Sequence, residues 1–223
     1  MFKLSQLSQL KKLPLTFNKR LSAFNLALLI LVFAAYPSAK LLPPYVAWED
    51  NVIESLQALL LLIIALLCFS IHTELIKKQS RALGCFFLLL LGRELSWGRV
   101  FFPTGVVDDM GPNFISMNSI PGHKFIHAAI FLAVCLILRA IIKSFNWKAL
   151  LKIPLPVFTF IILFVATGGQ LSAERHFFAG LTAPQNQTLE ELLELLIYME
   201  LFSLSLYYGF MRVLLHKTRH KPA

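Results

Sequence analysis

Two histidines four residues apart are the first feature of this 223-residue sequence that could support chemistry. On a helix His123 and His127 project from one face, at the separation that lets two imidazoles hold one metal ion. Asp50 and His176 are candidate further ligands, so the pattern predicts a site for a divalent metal ion such as zinc. The alternatives are structural or interfacial histidines for the pair and an exposed loop position for His176.

Several acidic and basic side chains could act beside such a metal. Glu54, Glu94 and Glu194 are candidate general acids or bases. Each could equally belong to an ion pair or a helix cap that serves only structure. Glu200 follows Glu190 by ten residues, roughly 15 Å along a helix, where a carboxyl group must be neutral, paired or hydrated. The candidate side chains for holding a substrate headgroup are Arg93, Arg99, Arg175 and Trp97.

Six apolar stretches must position these residues. The chain is 57% hydrophobic and 15% charged, which excludes an ordinary soluble enzyme and a disordered chain. Each stretch is close to the 20 residues that a helix needs to cross a membrane. The sequence therefore predicts an all-α, polytopic membrane bundle with about six transmembrane helices. The predicted spans are Phe24–Leu42, Val52–Ile71, Ala82–Phe102, Phe125–Ile142, Val157–Ser172 and Leu192–Met211.

The basic residues predict the orientation of this bundle. Sixteen of the 21 Lys and Arg precede the first span, follow the sixth, or lie between spans two and three or four and five. The positive-inside rule places those segments, and both termini, in the cytoplasm. We expect an amphipathic basic segment at 1–20, a transmembrane domain at 21–212 and a basic tail at 213–223. Basic residues divided among four segments favour contact with membrane lipids over nucleic acid.

This topology places most acidic residues on the opposite side. Eleven of the twelve Asp and Glu residues fall on or beneath the extracytoplasmic surface, together with His123, His127 and His176. The positive-inside rule does not require that asymmetry, since it concerns Lys and Arg. At the start of the sixth span, Thr188 and Glu191 have the spacing of a helix capping box.

The segment Gly92–Arg99 resembles a motif of uncharacterised bacterial multi-span membrane proteins, in which a Glu-Ile-Ser-Trp-Gly-Gln-Arg run ends a helix. Those proteins also have an acidic start to the second span and glutamates on the last helix. The resemblance implies a bacterial cytoplasmic membrane and no known activity. Asp50, the histidine pair and His176 loosely resemble the alkaline ceramidase-like superfamily of membrane metal hydrolases, but six spans and a missing Ser-x-x-x-His motif depart from it.

Three classes of function follow from these patterns. The first is a metal-dependent hydrolase or transferase acting on a lipid or lipid-linked substrate at the extracytoplasmic face. The second is a cation- or proton-coupled transporter that uses Glu94, Glu194 and Glu200 as a relay. The third is a non-catalytic membrane subunit whose buried ion pairs specify packing. The sequence leaves open both a membrane-protein partner and a homo-oligomer.

Overall fold

The computed structural model describes residues 15–48, 51–70, 77–107, 111–144 and 157–219, and within them the chain is mostly helical. Asp50, the first 14 residues and the last four lie outside these ranges. Short 3₁₀ turns connect some helices, and one two-stranded antiparallel sheet pairs β1 (Pro103–Val107) with β2 (Gly111–Phe114). The six long helices are α1 (Leu15–Leu41), α2 (Val52–Phe69), α3 (Lys77–Glu94), α4 (His123–Ser144), α5 (Val157–Glu174) and α6 (Ala183–Arg219).

Three stretches are long and apolar enough to cross a membrane: Ala23–Leu41, Pro44–Phe69 and His123–Ser144. A shorter apolar helix covers Phe158–Glu174. By contrast, α3 combines an apolar middle with basic residues at its start and an Arg-Glu pair at its end, and α6 carries several glutamates. Length and composition are therefore those of a membrane protein, with charges on two of the helices that must be accommodated inside the bundle.

Helix α6 lies at the centre of the bundle, where it packs against α1, α2 and α5. On one side, Leu193 and Leu196 join an apolar core with α1 and α5 that includes Leu28 and Ile162. On another side, Tyr198 joins a second core with α2 and α3. Polar side chains on α6 consequently face different neighbouring helices according to their position around the helix axis.

The third predicted span, Ala82–Phe102, is wrong at its outer end. Helix α3 stops at Glu94, and Ser96, Trp97 and Gly98 follow with φ angles of 44°, 56° and 87°. Three successive residues in the left-handed region cannot continue a right-handed helix. Glu94 therefore sits at the helix end instead of about 12 Å inside the helix, as a span reaching Phe102 would require.

The predicted capping box at the start of the sixth helix is also wrong. Helix α6 begins at Ala183, and the Thr188 hydroxyl donates to the Pro184 carbonyl (3.0 Å), one turn back in the helix. The actual reciprocal pair lies six residues earlier, at Thr182 and Gln185. The backbone nitrogen of Gln185 donates to Thr182 Oγ1 (3.4 Å), and the backbone nitrogen of Thr182 donates to Gln185 Oε1 (3.0 Å).

Helix α4 lies at the edge of the bundle. It packs on α3, and none of its residues is buried. An apolar helix exposed on this scale in a membrane protein is solvated by lipid. The histidine pair at the start of α4 is consequently peripheral to the core that surrounds α6.

Candidate functional site

Four polar side chains from α3 and α6 meet beside the second apolar core. Arg93 and Glu94 are the last residues of α3, whereas Glu194 and Tyr198 are one turn apart on α6 and share a face. We call these four residues the acid cluster. Glu94, Glu194 and Tyr198 are buried, with exposed fractions of 7%, 6% and 3%. The Arg93 side chain is about half exposed, so part of its guanidinium is accessible from outside the buried acid cluster.

The Tyr198 hydroxyl lies between the two carboxyl groups. Its oxygen is 2.9 Å from Glu94 Oε1 and 3.0 Å from Glu194 Oε1. Arg93 Nη1 donates to Glu194 Oε1 and lies 3.4 Å from both Glu94 Oε1 and the Tyr198 oxygen. One guanidinium therefore contacts both carboxyl groups and the phenol that joins them.

The donors and acceptors of the acid cluster indicate where its protons lie. A phenol carries one proton, so Tyr198 can donate to one of the two carboxyl groups. The other short contact is a hydrogen bond only if that glutamic acid is protonated and donates to the phenol oxygen. Two like charges this close are also unfavourable. One proton on this pair of carboxyl groups would satisfy both contacts and, with Arg93, would leave the acid cluster without net charge.

A second layer of polar residues lies beside the acid cluster, at the start of α6. Gln57 on α2 is fully buried, and its Nε2 donates to the Glu191 carbonyl and to Glu191 Oε2, each at 3.0 Å. Glu54 lies one turn before Gln57, in the first turn of α2. This contact joins α2 to α6 and positions Glu191 next to the acid cluster.

Glu190 and Glu191 precede Leu192, where the predicted sixth span begins. The pKa of Glu190 is raised to about 7, mainly by burial and also by repulsion from Glu174 and Glu194, against the opposing effect of Arg93. Burial also raises the pKa of Glu191 to about 8, although the hydrogen bond from Gln57 opposes this. The start of α6 therefore has carboxyl groups whose raised pKa values lie near neutral pH.

A groove of about 530 Å³ lies just beyond the end of α3, between the left-handed turn and α4. Its polar lining comes from Arg99, Ser116 and His127, with the Trp97 ring beside them. Arg99 Nε donates to the Ser96 carbonyl (3.2 Å), which fixes the direction of the guanidinium. The Trp97 ring packs on Gly92, where a Cβ atom would lie 2.7 Å from ring carbon Cζ3.

The rest of the groove is apolar. Ile130, Phe131 and Val134 follow His127 on one face of α4 at spacings of three, four and seven residues, and all of them line the groove. The stripe extends about 10 Å along the helix from the histidine. The groove thus has cationic and hydroxyl groups at one end and hydrocarbon along its length.

The predicted site residues separate into those that the structure brings together and those that it does not. Glu94, Glu194 and Arg93 meet in the acid cluster, and Trp97, Arg99 and His127 line the groove. The His123 and His127 rings lie edge to face, with centroids 6.1 Å apart, on the peripheral helix α4. Arg175 and His176 are exposed just after α5, and His176 has a φ of 53°.

The metal site stays a prediction. Among the described residues there is no group of three His, Cys, Asp or Glu side chains that could hold a metal ion. Two of the predicted ligands, His123 and His127, are close enough to share one, but Asp50 lies outside the described ranges.

Several residues of these sites were not identified from the sequence. In the sequence, Gln57 follows Glu54 by three residues and Tyr198 follows Glu194 by four, so each pair shares a helix face, but neither spacing identifies a partner on another helix. Ser116 gave no signal, since its place in the groove depends on the fold of the segment after β2. No protein-family model matches the chain, and the searches found no similar curated protein or solved structure.

Proposed function

We propose that this chain is a six-span protein of the bacterial cytoplasmic membrane that hydrolyses or transfers a group of a lipid or lipid-linked substrate at the extracytoplasmic face. The crossings and the cytoplasmic termini are supported by the six long helices and by the distribution of Lys and Arg between the connecting segments. This orientation directs the end of α3, the start of α4 and the start of α6 outward.

The observation that carries the catalytic part of the proposal is the Tyr198 hydroxyl between two carboxyl groups. A pair of carboxyl groups with one proton contains both a general acid and a general base. In ester hydrolysis, the ionised carboxylate takes a proton from the attacking water. The protonated partner gives its proton to the leaving oxygen, so the pair holds one proton before and after the reaction.

Arg93 and Tyr198 position this pair for the reaction. Arg93 contacts both carboxyl groups and is half exposed, so its free guanidinium nitrogens can also stabilise negative charge that develops on a substrate. Tyr198 fixes the separation between Glu94 and Glu194 and can pass the proton from one to the other through its hydroxyl. Both roles depend on geometry within the acid cluster and require no ligand from outside the chain.

The groove supports an amphiphilic substrate. Arg99 and His127 suit an anionic headgroup, and a guanidinium can contact a phosphate through two parallel hydrogen bonds. Ile130, Phe131 and Val134 suit an acyl or isoprenoid chain. Trp97 and Arg99 follow Glu94 by three and five residues, which places the groove and the acid cluster at the same end of α3.

The test is turnover of lipids in mixed vesicles by the purified chain. Vesicles with fluorescent phosphatidylglycerol and phosphatidylethanolamine are incubated with the protein, and products are identified by mass spectrometry. Glu94→Gln and Glu194→Gln should each lower turnover by about 10²-fold or more, the range for loss of a general acid or base. Glu174→Gln, an exposed carboxylate at the end of α5, should remain close to wild type. Wild-type turnover that survives both Gln substitutions would contradict the proposal.

A second candidate function, cation- or proton-coupled transport, is favoured by one observation. Glu200 is fully buried on α6, beside Thr159 of α5, so polar groups continue inward beyond the acid cluster. A coupled transporter needs ionisable groups at more than one depth. Flux of protons or Na⁺ into liposomes, abolished by Glu200→Gln, with no lipid turnover, would favour transport over catalysis.

A further inference from the structure

Three buried polar side chains meet on the side of α6 that faces away from the acid cluster. Glu200 follows Tyr198 by two residues, which turns it about 200° around the helix. It adjoins Thr159 of α5, and Thr159 Oγ1 accepts a hydrogen bond from Asn25 Nδ2 of α1 at 2.8 Å. The exposed fractions of Glu200, Thr159 and Asn25 are 0%, 1% and 2%. We call these three residues the inner triad.

The inner triad has more acceptor atoms than donors. Within the part of the chain that the structure describes, Asn25 Oδ1 is buried with no hydrogen-bond partner, and both Glu200 carboxyl oxygens are buried beside the Thr159 hydroxyl without a hydrogen bond of regular geometry. The Asn25 amide group already donates to Thr159. Buried polar oxygens are normally paired, and a buried carboxylate is normally matched by a cation or a metal. An ionised Glu200 would therefore need a positive charge that the three side chains of the triad do not supply.

We propose that Asn25, Thr159 and Glu200 form a binding site for a monovalent metal cation, with Na⁺ as the probe. Carboxylate, amide and hydroxyl oxygens are the ligands that hard cations prefer. One carboxylate neutralises one unit of charge, whereas a divalent ion would leave a net charge in a dry interior. A proton can bridge at most two oxygens, whereas a monovalent metal ion accepts several oxygen ligands.

The site lies where two apolar helices begin. Asn25 is the third residue of the apolar stretch Ala23–Leu41, and Thr159 is the second residue of Phe158–Glu174. Because α1, α5 and α6 supply one ligand each, a bound cation would hold three helices together at this level. In the proposed orientation this is the cytoplasmic half of the bundle, opposite the acid cluster and the groove.

The test is thermal unfolding of the detergent-purified full chain in NaCl and in choline chloride of equal concentration and pH. Na⁺ that binds only the folded chain should raise the wild-type Tm progressively with its concentration. Glu200→Gln should abolish the difference between the two salts. Glu174→Gln, the matched carboxylate control, should retain it. An equal wild-type Tm in both salts, or a Na⁺ response that persists in Glu200→Gln, would overturn the proposal.

Two further measurements keep the test decisive if Glu200→Gln does not fold. Thr159→Val removes one ligand oxygen at almost constant shape, and it should raise the Na⁺ concentration needed for a given increase in Tm roughly tenfold, as expected for one lost ligand contact. An infrared C=O band of a protonated carboxyl group that is present in wild type in NaCl and shifts in frequency in Thr159→Val, the neighbour of Glu200, would identify a proton as the occupant and overturn the metal-cation site.

Discussion

Tyr198→Phe should test the shared proton of the acid cluster most directly. Tyr198 is 3% exposed, and phenylalanine fills the same space, so the substitution leaves no cavity and removes only the hydroxyl. That hydroxyl contacts Glu94 at 2.9 Å and Glu194 at 3.0 Å. At about 1 kcal/mol for each hydrogen bond, and somewhat more where a partner is charged, we expect a loss of about 2–3 kcal/mol. For a chain of this size that lowers the Tm by about 4–12 °C.

The assay is thermal unfolding in detergent, combined with a double-mutant cycle. Tyr198→Phe should lower the free energy of unfolding by less in a Glu94→Gln background, because the glutamine that replaces Glu94 has no carboxyl group to share a proton through the phenol. A coupling free energy of about 1 kcal/mol is expected for residues in direct contact. Tyr45→Phe, at an exposed tyrosine, is the control and should change the Tm by less than about 2 °C. The shared proton would be refuted by a Tyr198→Phe chain as stable as wild type. It would also be refuted if the losses of unfolding free energy from Tyr198→Phe and Glu94→Gln were additive in the double variant.

Three other predictions follow from the geometry. Gly92→Ala should displace the Trp97 ring, because the new Cβ would lie 2.7 Å from it, and should therefore shift the tryptophan fluorescence spectrum. The control Gly168→Ala, with no atom within 4 Å of its Cβ, should leave the spectrum unchanged. A Gly92→Ala spectrum equal to that of wild type would contradict the packing of Trp97 on Gly92. The predicted metal site requires that the purified chain contain stoichiometric divalent metal and that a variant with both His123→Ala and His127→Ala lose it; a wild-type chain without metal would contradict it. Burial raises the pKa of Glu190 from 4.5 to about 7, so its protonated form stabilises the fold at low pH and that stability is lost as pH rises towards 7. Glu190→Gln should therefore flatten the fall in Tm between pH 5 and 7, and an unchanged profile would contradict this.

The helices were largely predictable from the sequence because apolar stretches of about 20 residues have few alternatives in a membrane. Each of the six predicted spans overlaps a long helix. Their ends were less predictable. The turn after Glu94 depends on Ser96 and Trp97 adopting positive φ, which neither residue favours by itself. The Thr182–Gln185 pair fits the capping pattern as well as Thr188–Glu191 does, so the pattern could not choose between them.

The acid cluster was predictable in part. Intramembrane glutamates are costly, which identified Glu94, Glu194 and Glu200 as residues that need partners. The partners depend on how α6 is rotated against its neighbours, and a single sequence contains no such information. That rotation directs Glu194 towards α3 and Glu200 towards α5. Asn25 and Thr159 gave no signal, because a single amide or hydroxyl near a helix start is ordinary.

The two polar sites on α6 differ in charge, and this difference separates their roles. In the acid cluster, Arg93 contacts both carboxyl groups, so one cation and one shared proton would balance the charge without a ligand from outside the chain. The inner triad has one carboxyl group and no cationic side chain among the described residues that contact it. A site whose charges balance internally can be reused for acid–base chemistry in every turnover, since nothing has to bind before the proton moves. A site with an unbalanced carboxylate must take its positive charge from outside, so it responds to the ion composition of the cell. If Na⁺ stabilised the chain equally with and without Glu200, this division between the two sites would fail.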